Sequence, residues 1–194
     1  NKTITFAKLN SDKIEFSFTQ INLFELVSNV QQLLQNTLQK EEAQLDFNIN
    51  YSVFVFADEM QLSEVFHNLI TNALKYSKNQ TKPYITIRAE QTNDDEITIK
   101  VADNGIGMTD DQIDHIFDEF YKADDARTDI DSHGLGLNIC QRIINKHGGK
   151  IWVESEGQDK GSQFIFTLHI TNGEWNSQFN QKNHNEEHLM YNVS

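Results

Sequence analysis

Cysteine and proline are almost missing from this chain, which holds one of each, Cys140 and Pro83, in 194 residues. A single cysteine excludes a disulfide within the chain and fits a reducing, cytosolic compartment. Positive charge is scarce as well: 16 Lys and Arg stand against 29 Asp and Glu, for a formal net charge of −13. Duplex DNA and anionic membrane surfaces both call for clustered Lys and Arg, so no nucleic acid and no direct membrane contact is expected. No apolar run approaches the roughly 20 residues of a membrane span, and no signal-peptide pattern is visible. The chain opens in mid-pattern at Asn1, so a longer parent protein is expected.

Thirteen Phe and 38% hydrophobic residues are enough for a globular core. Asn22 with Glu25 reads as a capping box. Leu23, Leu26, Val27, Val30, Leu33, Leu34 and Leu38 then recur at helical spacing, which predicts a first helix ending near Lys40. Leu45, Phe47, Ile49 and Tyr51 alternate as a strand does, and a shorter strand follows over Val53 to Phe56. Asp58 with Gln61 opens a second helix that reaches about Tyr76. Ile85, Ile87 and Ala89, a turn at Asn93-Asp94-Asp95, and Ile97, Ile99 and Val101 predict a hairpin.

Thr109 and Gln112 cap a short helix to about Phe117. Residues Lys122 to His133 are polar and carry little period, which predicts a long, mobile loop. A third main helix runs from Leu135 to His147 and is stopped by Gly148-Gly149. Ile151 and Val153, then Phe164, Phe166, Leu168 and Ile170, make two last strands. Strands come in adjacent pairs, so the expected fold is α/β: a two-layer sandwich with a mixed, mostly antiparallel sheet of about five strands and three main helices. Residues 20–170 form this domain, 1–19 lead into it, and the polar stretch 171–194 is expected to be a flexible tail.

Four stretches could carry chemistry. Glu64, Asn68, Asn72 and Tyr76 lie four apart, and Lys75 is three beyond Asn72, so all five share one helical face. Amide oxygens with an acid and a base suit Mg²⁺ and phosphate, though a solvated polar face explains the pattern too. Asp103-Asn104-Gly105-Ile106-Gly107-Met108 follows a strand directly; glycines let backbone approach a ligand, and an Asp at a strand end can accept from an exocyclic amine. Gly134-Leu135-Gly136-Leu137 opens a helix, where unpaired N–H groups can cradle an anion without Lys. Gly161-Ser162-Gln163-Phe164 starts the last strand and by itself reads as a hairpin turn.

The order of these motifs, with Phe117-Asp118-Glu119-Phe120-Tyr121 between the second and third, resembles the ATP-binding catalytic domain of sensor histidine kinases. That domain belongs to an ATPase fold of the Bergerat type, shared with type II topoisomerases, mismatch-repair ATPases and a chaperone family. The resemblance covers roughly Ile21 to Ile170 and implies ATP and Mg²⁺ as cofactors. It implies that Asn68 binds Mg²⁺ with Asn72 beside it, and that Glu64 activates the attacking histidine. Lys75 faces phosphate and Tyr76 faces adenine. Asp103 accepts from the adenine amine, in a pocket shaped by Gly105 and Gly107. Lys122 and Arg127 are basic lid residues on the phosphates, Gly134, Leu135 and Gly136 belong to the second glycine loop, and Ser162 lies near the adenine end. The lid Lys122–Gly136 is expected to order on nucleotide.

Two departures stand out. Ser132 takes the place of a further glycine before Gly134, and Asp159 takes the first place of a Gly-x-Gly in the third loop. None of the seven His sits in the family's phospho-acceptor setting. The acceptor is therefore expected on a separate dimerisation domain, with a response-regulator receiver downstream and a cytoplasmic location, whether or not the parent is membrane-anchored. A nucleotide-binding scaffold without transfer activity and a dimerising ATPase clamp remain as alternatives. Cys140 reads as structural, His67 as packing or solvated, and Trp152 with the phenylalanines of the last strand as core. His184 and His188 have metal-ligand spacing but sit in a polar tail without a third ligand.

Overall fold

The computed structural model describes residues 15–78, 81–119, 121 and 136–170. In chain order the elements are β1 (Thr19–Asn22), α1 (Leu23–Leu33), α2 (Gln35–Lys40), β2 (Gln44–Asn48), β3 (Phe54–Ala57), α3 (Glu59–Lys75), β4 (Tyr84–Gln91) and β5 (Glu96–Asp103). They continue with α4 (Asp110–His115), α5 (Gly136–Lys146), β6 (Ile151–Glu154) and β7 (Ser162–His169). The main sheet has five strands in the order β2-β4-β5-β7-β6. The β2–β4 pair is parallel, and β4–β5, β5–β7 and β7–β6 are antiparallel. A two-stranded sheet, β1 with β3, flanks it. This is the expected two-layer α/β sandwich, with α1, α3 and α5 as the main helices.

The layers are joined by period. Strand β5 alternates, with Ile97, Ile99 and Val101 buried between half-exposed neighbours. Leu62, Val65, Phe66, Leu69 and Ile70 of α3 and Ile139, Cys140, Ile143 and Ile144 of α5 are each at most 1% exposed. Burying a side chain of this size contributes roughly 1.5–3 kcal/mol. Phe66 meets Phe166 of β7 edge to face at 5.6 Å, which ties α3 to the centre of the sheet. Cys140 is wholly buried, as a structural cysteine would be.

Caps fix where the helices begin. Asn22 Oδ1 accepts from the Glu25 N–H at 3.0 Å. The Glu25 carboxylate turns instead to the Tyr51 hydroxyl, which donates to it at 2.6 Å. At α4 the reciprocal capping box of Thr109 and Gln112 is complete.

Three expectations need correcting. The first helix is broken at Leu34, whose backbone (φ −89°, ψ 1°) separates α1 from α2. Leu33 is then 75% exposed, because two adjacent leucines lie about 100° apart on a helix and Leu34 takes the inward place. Trp152 is 38% exposed on the edge strand β6; Ile151 and Val153 point inward, so strand alternation turns the residue between them outward. Strand β1 had not been anticipated.

Candidate functional site

Three loops meet at the β5 end of the sheet, and short backbone hydrogen bonds join them. The Ile106 N–H donates to the carbonyl of Tyr76, the residue that caps α3, at 3.0 Å. The Asp159 N–H, in the turn between β6 and β7, donates to the Ile106 carbonyl at 2.6 Å. Ser155 Oγ accepts from the Met108 N–H at 3.0 Å and donates to the Gly161 carbonyl at 2.7 Å. The glycines are what allow this crowding. A Cβ on Gly107 would stand 2.0 Å from the Gly157 carbonyl oxygen, and one on Gly161 equally close to that of Asp103. Both also have positive φ, 70° and 77°.

Asp103 sits at the centre. It is the last residue of β5, and Oδ1 accepts from the Gly105 N–H at 2.8 Å and the Ser162 N–H at 3.3 Å. Oδ2 has no hydrogen bond from the described residues. Burial pushes the carboxyl above its ordinary range, while the Gly105 and Ser162 N–H groups and the nearby Lys78 charge pull the other way. A carboxylate whose one oxygen is held by two backbone donors is a fixed acceptor, and its second oxygen can take one donor of a ligand.

Along α3, Asn68 is 1% exposed and its Nδ2 donates to Glu64 Oε1 at 3.1 Å. Asn72, Lys75 and Tyr76 are half-buried, and the Lys75 ammonium lies 5.1 Å above the Tyr76 ring. The shared face read from the spacing is therefore present, with Asn68 at its buried floor. The donor chemistry fits Mg²⁺: Oδ1 of Asn68, in the orientation set by Glu64, is a hard oxygen ligand.

Behind the site, Phe117 packs on Phe164 with ring centroids 6.4 Å apart. Asn138 of α5 donates to the Phe117 carbonyl at 2.8 Å, and Arg142 reaches Glu119 at 2.6 Å. The aromatic segment after α4 is thus clasped to the helix that follows the second glycine loop.

Asp103, Gly105 and Ser162 are brought together by hydrogen bonds, with Gly107 in the adjoining loop, and Glu64, Asn68, Asn72, Lys75 and Tyr76 lie along α3 and its cap. Gly136 is the first residue of α5. Lys122, Arg127, Gly134, Leu135 and the tail histidines His184 and His188 lie outside the described residues. Two participants had no signal of their own: Ser155, the knot of the third turn, and Lys78, three residues past the helix. A third is the left-handed backbone of Asp159 at φ 61°. The last could have been suspected, since Asp stands there where the related motif has glycine.

A family model described as "Histidine kinase-, DNA gyrase B-, and HSP90-like ATPase" matches residues 57–172. The sensor protein kinase WalK of Staphylococcus haemolyticus is 37% identical over 132 residues, 66% of this chain but 21% of that protein. The chain thus spans about a fifth of the curated relatives it matches. A nucleotide-free catalytic domain of histidine kinase ThkA superposes with a TM-score of 0.67 at 29% identity, over 79% of this chain and 96% of that one. ThkA solved with the response regulator protein TrrA gives 0.69 at 27% identity, over 87% and 47%.

Proposed function

The chain belongs to the histidine kinase-, DNA gyrase B- and HSP90-like ATPase family, and from that premise we propose that it is the catalytic, ATP-binding part of a two-component sensor histidine kinase. The observation that carries the reading is Asp103, a half-buried carboxylate whose Oδ1 is engaged by Gly105 and Ser162. Its Oδ2 accepts from the exocyclic amine of adenine, and Gly105 and Gly107 give the base room. Tyr76 closes the other side.

Asn68 and Asn72 would hold Mg²⁺ for the phosphates, with Lys75 beside them. When bound, the metal neutralises charge on the phosphates; the chain's own groups position them. Glu64 lies one turn before Asn68 and orients the incoming imidazole. In the transfer, the bond from the γ-phosphorus to the ADP oxygen breaks and a P–N bond to the acceptor histidine forms. ADP leaves, and the imidazole proton passes to Glu64. Lys122, Arg127, Gly134, Leu135 and Gly136 complete the phosphate end. The acceptor is a dimerisation domain of the parent protein, and the receiver is a response regulator, as ThkA has in TrrA. The parent works at the cytoplasmic side of a membrane or in the cytoplasm; among the described residues no helix is long and apolar enough to cross a membrane.

Titration with labelled ATP tests this, with and without Mg²⁺. Asp103→Asn is expected to lose most ATP affinity while staying folded, and Asn68→Ala to lose the Mg²⁺-dependent part. Glu64→Gln keeps binding but slows phosphorylation of a matched acceptor domain about 10²–10⁴-fold. The reading fails if GTP binds the parent chain as well as ATP does, or if the Glu64 and Asn68 phenotypes are reversed.

A further inference from the structure

One part of this site belongs to none of the sequence motifs. Past the end of α3, Lys78 Nζ donates to the Asp159 carbonyl at 2.6 Å. That bond closes a chain of three: Ile106 N–H to the Tyr76 carbonyl, Asp159 N–H to the Ile106 carbonyl, and Lys78 to the Asp159 carbonyl. The exit of α3, the first glycine loop and the β6–β7 turn are thus linked in a ring, and the turn leads into Ser162, which donates to Asp103. Asp159 takes part with φ 61°, a conformation that a residue with a Cβ adopts reluctantly. A backbone that needs holding and a cation that holds it stand together.

We propose that Lys78 is a positioning residue for the base site, strapping the β6–β7 turn to the exit of α3 and supplying positive charge that acts on Asp103. The proposal rests on the reading of Asp103 as the base acceptor. An acceptor must be ionised to take the amine's hydrogen bond at full strength, and burial works against that. Among the described residues, Lys78 is the charged side chain that acts on Asp103. From α3, the Lys75 ammonium is directed at the Tyr76 ring. From the turn, Asp159 engages through its backbone, and the neighbouring Lys160 is exposed.

The strap has two separable parts, a hydrogen bond and a charge. Lys78→Met removes both, Lys78→Gln keeps a donor without charge, and Lys78→Arg keeps both. Lys78 sits at the rim, so all three variants should fold, and thermal unfolding checks that they do. ATP affinity is then measured from pH 5 to 8 on the full chain, each variant expressed as a ratio to the parent, so that titration of the nucleotide itself cancels.

Near neutral pH, Lys78→Met is expected to bind about 3- to 10-fold more weakly. As pH falls, its ratio to the parent should widen, and so should that of Lys78→Gln, because Asp103 without the cation is neutralised at higher pH. Lys78→Arg should stay flat and close to one. In an Asp103→Asn background the pH dependence should vanish. A ratio for Lys78→Met that does not change with pH, in a chain whose ATP binding does need Asp103, overturns the proposal and leaves the base-site reading standing. Asp103→Asn binding ATP like the parent overturns both.

Discussion

A half-buried carboxylate proposed to bind a ligand is also a stability liability, and Asp103 shows the conflict at the scale of one residue. Its pKa is raised, mainly by burial. A raised carboxyl binds its proton more tightly folded than unfolded. The cost of holding it ionised is therefore full above the folded pKa and disappears as pH falls below the ordinary Asp value. Asp103→Asn removes that cost, and its own Oδ1 can still accept from Gly105 and Ser162. We expect this variant, defective in ATP binding, to be more stable than the parent at pH 7 by roughly 0.5–2 kcal/mol. The gain should shrink towards pH 4. Calorimetry across that range checks it, and a variant less stable than the parent at pH 7 refutes it. Asp103 was legible from sequence because a strand-end acid followed by two spaced glycines is a local pattern. Lys78 and Ser155 were not, because their partners, Asp159 in one case and Met108 and Gly161 in the other, are brought to them only by the fold.

At the scale of elements, α3 is anchored at its start by another polar centre, Asp58. Its Oδ1 caps the helix by accepting from the Gln61 N–H, and its Oδ2 accepts from the Ser17 N–H at 2.8 Å. Its own N–H donates to His147 Nε2 at 3.0 Å, just past α5. His147 is 1% exposed, and Phe16 and Phe18 pack edge-on against its ring. The bond from Asp58 requires Nε2 unprotonated, with Nδ1–H donating to the Ile143 carbonyl at 2.8 Å. Burial accordingly depresses the His147 pKa, against smaller opposing effects of Ile143 and Asp58.

A depressed histidine stabilises fully above its unfolded pKa of about 6.5. That stability is lost as pH falls from there through the folded pKa. We expect His147→Phe, which keeps the ring packing, to cost about 1–3 kcal/mol at pH 8 by stranding the Asp58 N–H. Its denaturant midpoint should also fall less than the parent's between pH 6.5 and 5. Parallel curves for the two proteins would show that His147 does not titrate on unfolding. Helices and strands with a clean period were readable in advance. Trp152 was misjudged because residue type was weighed above alternation. Strand β1 escaped because a four-residue edge has almost no period to read, and its partner β3 is distant in the chain, pairing Thr19 with Ala57 and Asn22 with Phe54.

For the whole molecule, the strand order β2-β4-β5-β7-β6 was beyond a sequence reading: nothing local announces that β7 inserts between β5 and β6 or that β2 runs parallel to β4. Net charge was legible at once, and it makes a prediction that contacts cannot. The chain carries −13 overall, and ATP without Mg²⁺ is itself strongly anionic. At distances beyond the Debye length the two repel; inside the pocket, Lys75, Lys78 and backbone N–H groups take over. Salt at 0.1 M shortens the Debye length to about 10 Å and screens the long-range part much more than the buried contacts. Association of Mg²⁺-free ATP should therefore speed up as salt rises from about 0.01 to 0.15 M, while dissociation changes little. Mg²⁺ lowers the charge on the nucleotide, so the same series with Mg-ATP should be flatter. Stopped-flow association rates measure both. A nucleic-acid-type response, with association slowing as salt rises, would mean that the local cations outweigh the acidic body, and the view that this chain binds its polyphosphate against its net charge would have to be given up.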